Sequence, residues 1–170
     1  MNLASYIRDV PDFPVPGILF RDITPLLRDP AALHEAVVRM SEPWQGRGVA
    51  LVAAMEARGF MFGAAMAIRL GAGFIPVRKA GKLPWRTRSV PYTLEYRDDI
   101  LHMHDDAVAP GQRVLVVDDV IATGGTAKAV VQLIEQLGGE VVGVQFLIEL
   151  SDLEGREHLT GHEVQSVIAY

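Results

Sequence analysis

The residues best suited to chemistry lie in one run, Val114-Leu-Val-Val-Asp-Asp-Val-Ile-Ala-Thr-Gly-Gly-Thr126. Four apolar residues read as a buried central strand, and two adjacent acids end it. A hydroxyl, two glycines and a second hydroxyl then lead into a helix. In an open α/β sheet, ligands gather at the carboxyl ends of the strands, where this loop must lie. Glycines let the backbone curl until several N–H groups converge on one anion. The helix start adds its positive dipole end and unpaired amides. Ala122, Thr123, Gly124, Gly125 and Thr126 thus describe a phosphate cradle. Asp118 and Asp119 would repel a phosphate, so they suit neutral hydroxyls such as those of a ribose. The combination points to a ribose 5-phosphate. A strand cap followed by an ordinary glycine turn uses the same residue types but leaves their order unexplained. The chain has neither G-x-x-x-x-G-K-[ST] nor G-x-G-x-x-G, which disfavours a Walker ATPase or a dinucleotide enzyme.

A second concentration of charge precedes this run. Arg78, Lys79, Lys82, Arg86 and Arg88 place five of the sixteen Lys and Arg residues close together with no acid among them. A solvated basic loop would look the same. The chemical alternative is a cationic patch that stabilises a pyrophosphate as its charge develops, with Arg58 joining from another loop. His102 and His104 form an H-x-H without an evident third ligand. Neither His34–Glu35 nor His162–Glu163 completes H-E-x-x-H.

These groups need a scaffold, and the sequence supplies strand and helix signals in alternation. The first 30 residues are rich in proline, and Asp12 to Thr24 reads as extended. Asp29–Pro30 starts a helix with Leu33, Val37 and Met40 as its apolar stripe. Val49–Met55 is a strand, Gly59–Leu70 a helix and Phe74–Val77 a strand. Residues 80–91 read as a flexible loop. Two short strands follow, Tyr92–Tyr96 and Ile100–His104. Then come the strand Arg113–Val120, a helix from about Ala127 to Leu137, and the strands Val141–Ile148 and Val164–Ala169. Such alternation predicts an α/β fold with a mainly parallel central sheet flanked by helices. We expect one domain over residues 1–170, with an N-terminal arm or hood over about 1–30.

Composition narrows the class. The 170 residues are 49% apolar and 22% charged, ordinary globular values that argue against disorder. There is no cysteine, which excludes disulfides, thiolate metal sites and a cysteine nucleophile. A net charge of −5 argues against duplex nucleic acid as the main partner. No apolar run approaches the ~20 residues of a membrane span, and no signal-peptide pattern opens the chain. A cytoplasmic protein is the expectation.

The segment around Asp118–Thr126 resembles the phosphoribosyl pyrophosphate signature of the type I phosphoribosyltransferases. Phe13-Pro-Val-Pro-Gly-Ile-Leu-Phe-Arg-Asp-Ile-Thr24, Glu56-Ala-Arg-Gly-Phe60, Val77-Arg-Lys-Ala-Gly-Lys-Leu-Pro84 and Leu94-Glu-Tyr96 resemble, in order, the blocks of the family's adenine-using members. The resemblance implies a pentosyltransferase that converts adenine and phosphoribosyl pyrophosphate to AMP and pyrophosphate, a purine salvage reaction. It implies pyrophosphate contacts at Arg58, Arg78, Lys79 and Lys82, and a non-proline cis peptide at Ala57–Arg58. Glu95 would be catalytic, handling a proton on the base or stabilising the cationic ribose. Leu19, Phe20 and Arg21 would meet the adenine. The implied cofactor is Mg²⁺, held mainly by the substrate's own oxygens, with Asp118 or Asp119 reached through water. A homodimer is also implied. Trp85-Arg-Thr-Arg-Ser-Val-Pro91 departs from the more acidic or glycine-rich loop of many relatives, which bears on lid closure and on base choice. Two other functions fit the same blocks: transfer to an oxo-purine (hypoxanthine, guanine or xanthine), or a regulator that binds phosphoribosyl pyrophosphate without turnover.

Overall fold

The proline-rich start of the chain is more regular than its composition predicts. The computed structural model describes residues 1–94 and 97–170; Glu95 and Tyr96, and the side chains of residues 93–98, lie outside the described residues. The chain divides into two compact units, Met1–Arg39 and Met40–Tyr170. In the first unit β1 (Arg8–Pro11) pairs antiparallel with β2 (Leu19–Asp22), setting Arg8 opposite Asp22 and Asp9 opposite Arg21. Both opposed pairs are ion pairs, the favourable cross-strand arrangement for charges. The run expected to be extended from Asp12 to Thr24 begins with turns over 12–17 and is strand at Leu19–Asp22, after which α1 (Thr24–Arg28) starts with Pro25 in its first turn. There the missing N–H removes no helical bond. Helix α2 (Pro30–Ser41) begins as predicted. Asp29 Oδ1 accepts from the amides of Ala31 and Ala32 at 3.0 and 2.9 Å. Its most buried line is Ala32, Ala36 and Met40, with Leu33 and Val37 half-buried beside it.

The second unit is built on a seven-stranded sheet among the described residues. Its strands are β3 (Leu51–Met55), β4 (Gly73–Lys79), β5 (Thr87–Leu94), β6 (Arg97–His104), β7 (Arg113–Ile121), β8 (Glu140–Glu149) and β9 (Val164–Ala169), in the order β5-β6-β4-β3-β7-β8-β9. The five strands from β4 to β9 are parallel, and β6 and β5 add an antiparallel hairpin at the β4 edge. Helix α3 (Arg58–Leu70) links β3 to β4, and α4 (Gly125–Gln136) links β7 to β8. The chain thus winds outward from β3 in one direction and from β7 in the other. The crevice where winding reverses lies beyond the carboxyl ends of β3 and β7, which is where such sheets bind ligands.

Helices cover both faces of the parallel strands, so β7 needs no polar face and Val114 to Val117 are all buried. Val114 and Val116 join one core cluster with Val130, Leu133 and Ile134 of α4 and with Val144 and Phe146 of β8. Leu115 and Val117 alternate to the other face, where α3 packs. Two boundaries differ from the sequence expectation. Val120 and Ile121 continue the ladder with β8, so Asp118 and Asp119 lie inside the strand and do not end it. Thr87–Leu94 pairs with β6 along its length, and Val90 and Tyr92 are buried. That leaves residues 80–86 as the irregular segment in place of the expected 80–91. Among the described residues, no helix is long and apolar enough to cross a membrane.

Besides Asp119, the polar residues buried among those described are Ser41 and Gln145. Gln145 Oε1 accepts from Trp44 Nε1 at 2.7 Å, and its Nε2 donates to the Phe146 carbonyl at 2.8 Å. Trp44→Phe strands the Gln145 oxygen and leaves part of the indole's space empty, so a loss of at least about 1–3 kcal/mol is expected. Urea unfolding followed by circular dichroism measures it, and an unchanged midpoint would show that water replaces the indole donor.

Candidate active site

The first turn of α3 meets the end of β7 at the winding reversal. Arg58 Nε lies 2.8 Å from Asp119 Oδ2, whose side chain is 6% exposed. The next residue is Gly59, and a Cβ there would stand 2.7 Å from Asp118 Oδ1. No side chain larger than hydrogen fits between helix and strand. Asp118 Oδ1 also accepts the Asp119 amide at 2.9 Å. Burial, followed by the charge of Asp119, pushes the Asp118 carboxyl well above its usual range. Burial raises Asp119 as well, against the pull of Arg58. Raised in this way, the Asp118 carboxyl holds its proton to higher pH than an exposed aspartate does, and the pair offers closely spaced oxygens. That pairing suits vicinal hydroxyls.

The predicted cations are organised by a carboxylate that the sequence reading passed over. Glu56, just past β3, accepts from the Lys79 amide at 2.6 Å and from Arg78 Nη2 at 3.0 Å. Burial opposes its ionisation, but these donors and the Lys82 charge outweigh it and hold Glu56 below its usual range. Arg78 Nη1 reaches the Lys82 carbonyl at 3.3 Å, which ties the start of the 80–86 segment back to β4. Arg78 Nε is buried and has no acceptor among the described residues. Lys79 Nζ pairs with Asp99 at 3.0 Å. The Arg78 guanidinium and the Lys79 amide therefore meet at Glu56, the Lys82 carbonyl is held by Arg78, and Arg58 stands on Asp119. The cis non-proline peptide is Glu56–Ala57, one bond before the expected position. Arg58 then opens α3 as its first residue.

Ala122 to Gly124 connect β7 to α4, and the helix starts at Gly125, two residues earlier than predicted. Gly124 has φ +81°, left-handed backbone that favours glycine, and no side chain caps the helix. The first intrahelical bond runs from the Lys128 amide to the Gly124 carbonyl at 3.0 Å. The amides of Gly125, Thr126 and Ala127 precede it and have no partner within the helix. An oxyanion is the natural acceptor for them. Among the described residues, no three His, Asp or Glu side chains converge as a metal site. A hard divalent ion here would take most of its oxygens from a phosphate ligand, with the Asp118 and Asp119 carboxylates beside it.

Leu19, Phe20 and Arg21 all lie on β2 of the first unit. Leu19 is 46% exposed, Phe20 packs edge-on against Phe13, and the Arg21 guanidinium is held by Asp9. Glu95 falls outside the described residues. Trp85 is 63% exposed within the 80–86 segment. Glu56 stands in a block the sequence shares with the family, but its place ahead of Arg58 does not reveal the partners it has on β4.

A family model described as phosphoribosyl transferase domain matches residues 35–167. An adenine phosphoribosyltransferase of Symbiobacterium thermophilum is 55% identical over 170 residues, the whole of both chains. The crystal structure of adenine phosphoribosyltransferase from Thermoanaerobacter pseudethanolicus superposes with a TM-score of 0.96 at 50% identity, covering 99% of this chain and 98% of that one. The Saccharomyces cerevisiae enzyme, solved in complex with an imino-altritol bisphosphate and adenine, gives 0.91 at 36% identity over 97% and 96%. Mixed α/β topology, an uncapped helix start after Asp118 and Asp119 and full-length similarity agree: the chain belongs to the phosphoribosyl transferase domain family, among its adenine phosphoribosyltransferases.

Proposed function

We propose that this protein transfers the 5-phosphoribosyl group of phosphoribosyl pyrophosphate to adenine, giving AMP and pyrophosphate in purine salvage. The observation that carries the reading is the uncapped start of α4 beside Asp118 and Asp119 at the winding reversal. The amides and hydroxyls of Ala122–Thr126 take the 5-phosphate, and Asp118 and Asp119 take the ribose hydroxyls. Arg58, Arg78, Lys79 and Lys82 face the pyrophosphate. In the reaction the bond from the anomeric carbon to the pyrophosphate oxygen breaks, and a bond from that carbon to a purine ring nitrogen forms. The electron pair leaves with pyrophosphate, and the nitrogen gives up its proton. Guanidinium and ammonium groups held in place beforehand stabilise the charge growing on the leaving group. Glu95 is the residue assigned to the proton or to the cationic ribose, on the strength of the resemblance. Leu19, Phe20 and Arg21 are assigned to the base on the same ground.

Mg²⁺ belongs to this reading as the cofactor, borne by substrate oxygens and reached by Asp118 or Asp119 through water. When bound, it neutralises pyrophosphate charge. A cytoplasmic homodimer is part of the reading and also rests on the resemblance.

The deciding experiment follows pyrophosphate release from phosphoribosyl pyrophosphate and Mg²⁺ with adenine, hypoxanthine, guanine or xanthine. Release with adenine alone is expected. Release with an oxo-purine would overturn the base assignment, and tight binding without release would indicate a regulator. Glu95→Gln should lower kcat by about the 10²–10⁴-fold that acid–base groups contribute, while KM for phosphoribosyl pyrophosphate changes little. Equal turnover in that variant would remove Glu95 from the mechanism.

The acid pair also makes a prediction about pH. A carboxyl whose folded-state pKa is raised destabilises the fold above that pKa, and the cost vanishes below its ordinary value, where both states are protonated. Asp118→Asn should therefore raise the thermal midpoint at pH 7, by roughly 2–4 °C for each kcal/mol recovered. The advantage should shrink as pH falls towards about 4, while affinity for phosphoribosyl pyrophosphate drops at every pH. Thermal scans at several pH values check this; a pH-independent loss of stability would contradict it.

A further inference from the structure

After β8 the chain turns back and presses a second backbone against the phosphate loop. Gly155, buried, opens a short 3-10 helix that runs to Leu159. A Cβ on Gly155 would stand 2.2 Å from the Ala122 carbonyl oxygen and 2.8 Å from Ile121 Cγ1. A Cβ on Gly124 would stand 2.2 Å from the Gly155 carbonyl oxygen. Two glycines thus meet back to back, and the position of Gly155 sets that of residues 122–124.

The next residue anchors this contact to the sheet. Arg156 donates from Nε to Glu149 Oε1 at 2.5 Å and from Nη2 to Glu149 Oε2 at 2.6 Å. Its Nη1 donates to the Val164 carbonyl at 2.6 Å, and Nη2 also reaches Ser166 Oγ at 3.1 Å. Ser166 Oγ in turn donates to Glu149 Oε2 at 2.6 Å. One guanidinium therefore fastens the Gly155 turn to β8 and β9 together, in the planar fork geometry that lysine cannot reproduce. Arg156 is 44% exposed but Glu149 only 13%, and the pair is bidentate within a wider network, so it supports the fold as well as the loop. Its geometric effect falls on the loop.

We propose that Arg156 is a positioning residue for the 5-phosphate: clamped by Glu149, Ser166 and the Val164 carbonyl, it fixes Gly155, which holds Ala122–Gly124 in the curled form that aims the α4 amides. The inference rests on the proposed phosphoribosyl transfer, because it assigns the phosphate to that loop. A loosened clamp should cost binding of phosphate-bearing ligands and leave other ligands alone.

The test compares Arg156→Lys, Glu149→Gln and Gly155→Ala with the parent protein in AMP and adenosine binding by calorimetry and in steady-state kinetics. In the two clamp variants, Kd for AMP and KM for phosphoribosyl pyrophosphate should rise by at least about tenfold, within the roughly 10²-fold that a 1 Å misplacement can cost. Adenosine affinity and kcat at saturation should be retained. Unchanged AMP affinity in a folded clamp variant overturns the proposal, as does equal weakening of adenosine and AMP. Gly155→Ala should show the larger effect; if it does not fold, Arg156→Lys and Glu149→Gln decide the matter. Failure of both of those to fold would make Arg156 a stability residue and also overturn the proposal. A parent protein that binds AMP but releases no pyrophosphate with any base would sink the proposed function and leave the clamp to be judged on AMP alone.

Discussion

Burying two neighbouring carboxyls is unfavourable unless each finds compensation, and much of the second unit serves to supply it. Asp119 is met by Arg58 from the first turn of α3. Asp118 escapes the problem by holding its proton more tightly, under burial and under its neighbour's charge. Both solutions need α3 to start hard against the end of β7, and only a glycine at position 59 leaves the room. That approach in turn requires β3 to lie beside β7, which is the place where the sheet changes winding direction. Topology, one glycine and the ionisation of an acid pair are a single constraint.

The two ends of the expected substrate would be handled by different physics. The 5-phosphate side offers backbone amides, which are neutral, directional and rigid once their loop is held. The pyrophosphate side offers guanidinium and ammonium groups, which would repel one another without anions among them. Glu56 and Asp99 fill that role, pairing with Arg78 and Lys79. The cations are thereby preorganised, and little rearrangement is left for the moment when negative charge arrives.

The legible part of the fold was the part encoded contiguously. The strand, acids, hydroxyls, glycines and helix of residues 114–136 stand next to one another in the chain, so their order alone described the loop. Asp29 could be read as a cap because capping is local. What escaped was long-range. Glu56 acts on partners 22 and 23 residues away, across the β3–β4 ladder. Gly155 carries no signal of its own, because nothing near it in sequence shows the Ala122 carbonyl behind it. The strand at Thr87 was hidden by a basic, proline-flanked composition, and its regularity comes from the partner strand β6. Asp118 and Asp119 resembled strand terminators by type, while the β-branched residues after them carry the ladder on.

The parallel sheet has a second consequence, for handling the molecule. Its strands all end at the rim that carries the acids and the phosphate loop. The opposite rim consists of the turns leading into the strands: Gly46–Gly48 before β3, Gly71–Ala72 before β4, Ala109–Gln112 before β7 and Gly138–Gly139 before β8. These turns contribute backbone geometry and no group assigned to chemistry. A dye, an affinity handle or a solid support attached there would leave the reactive rim facing outward, so the fold itself supplies an orientation for immobilising the catalyst.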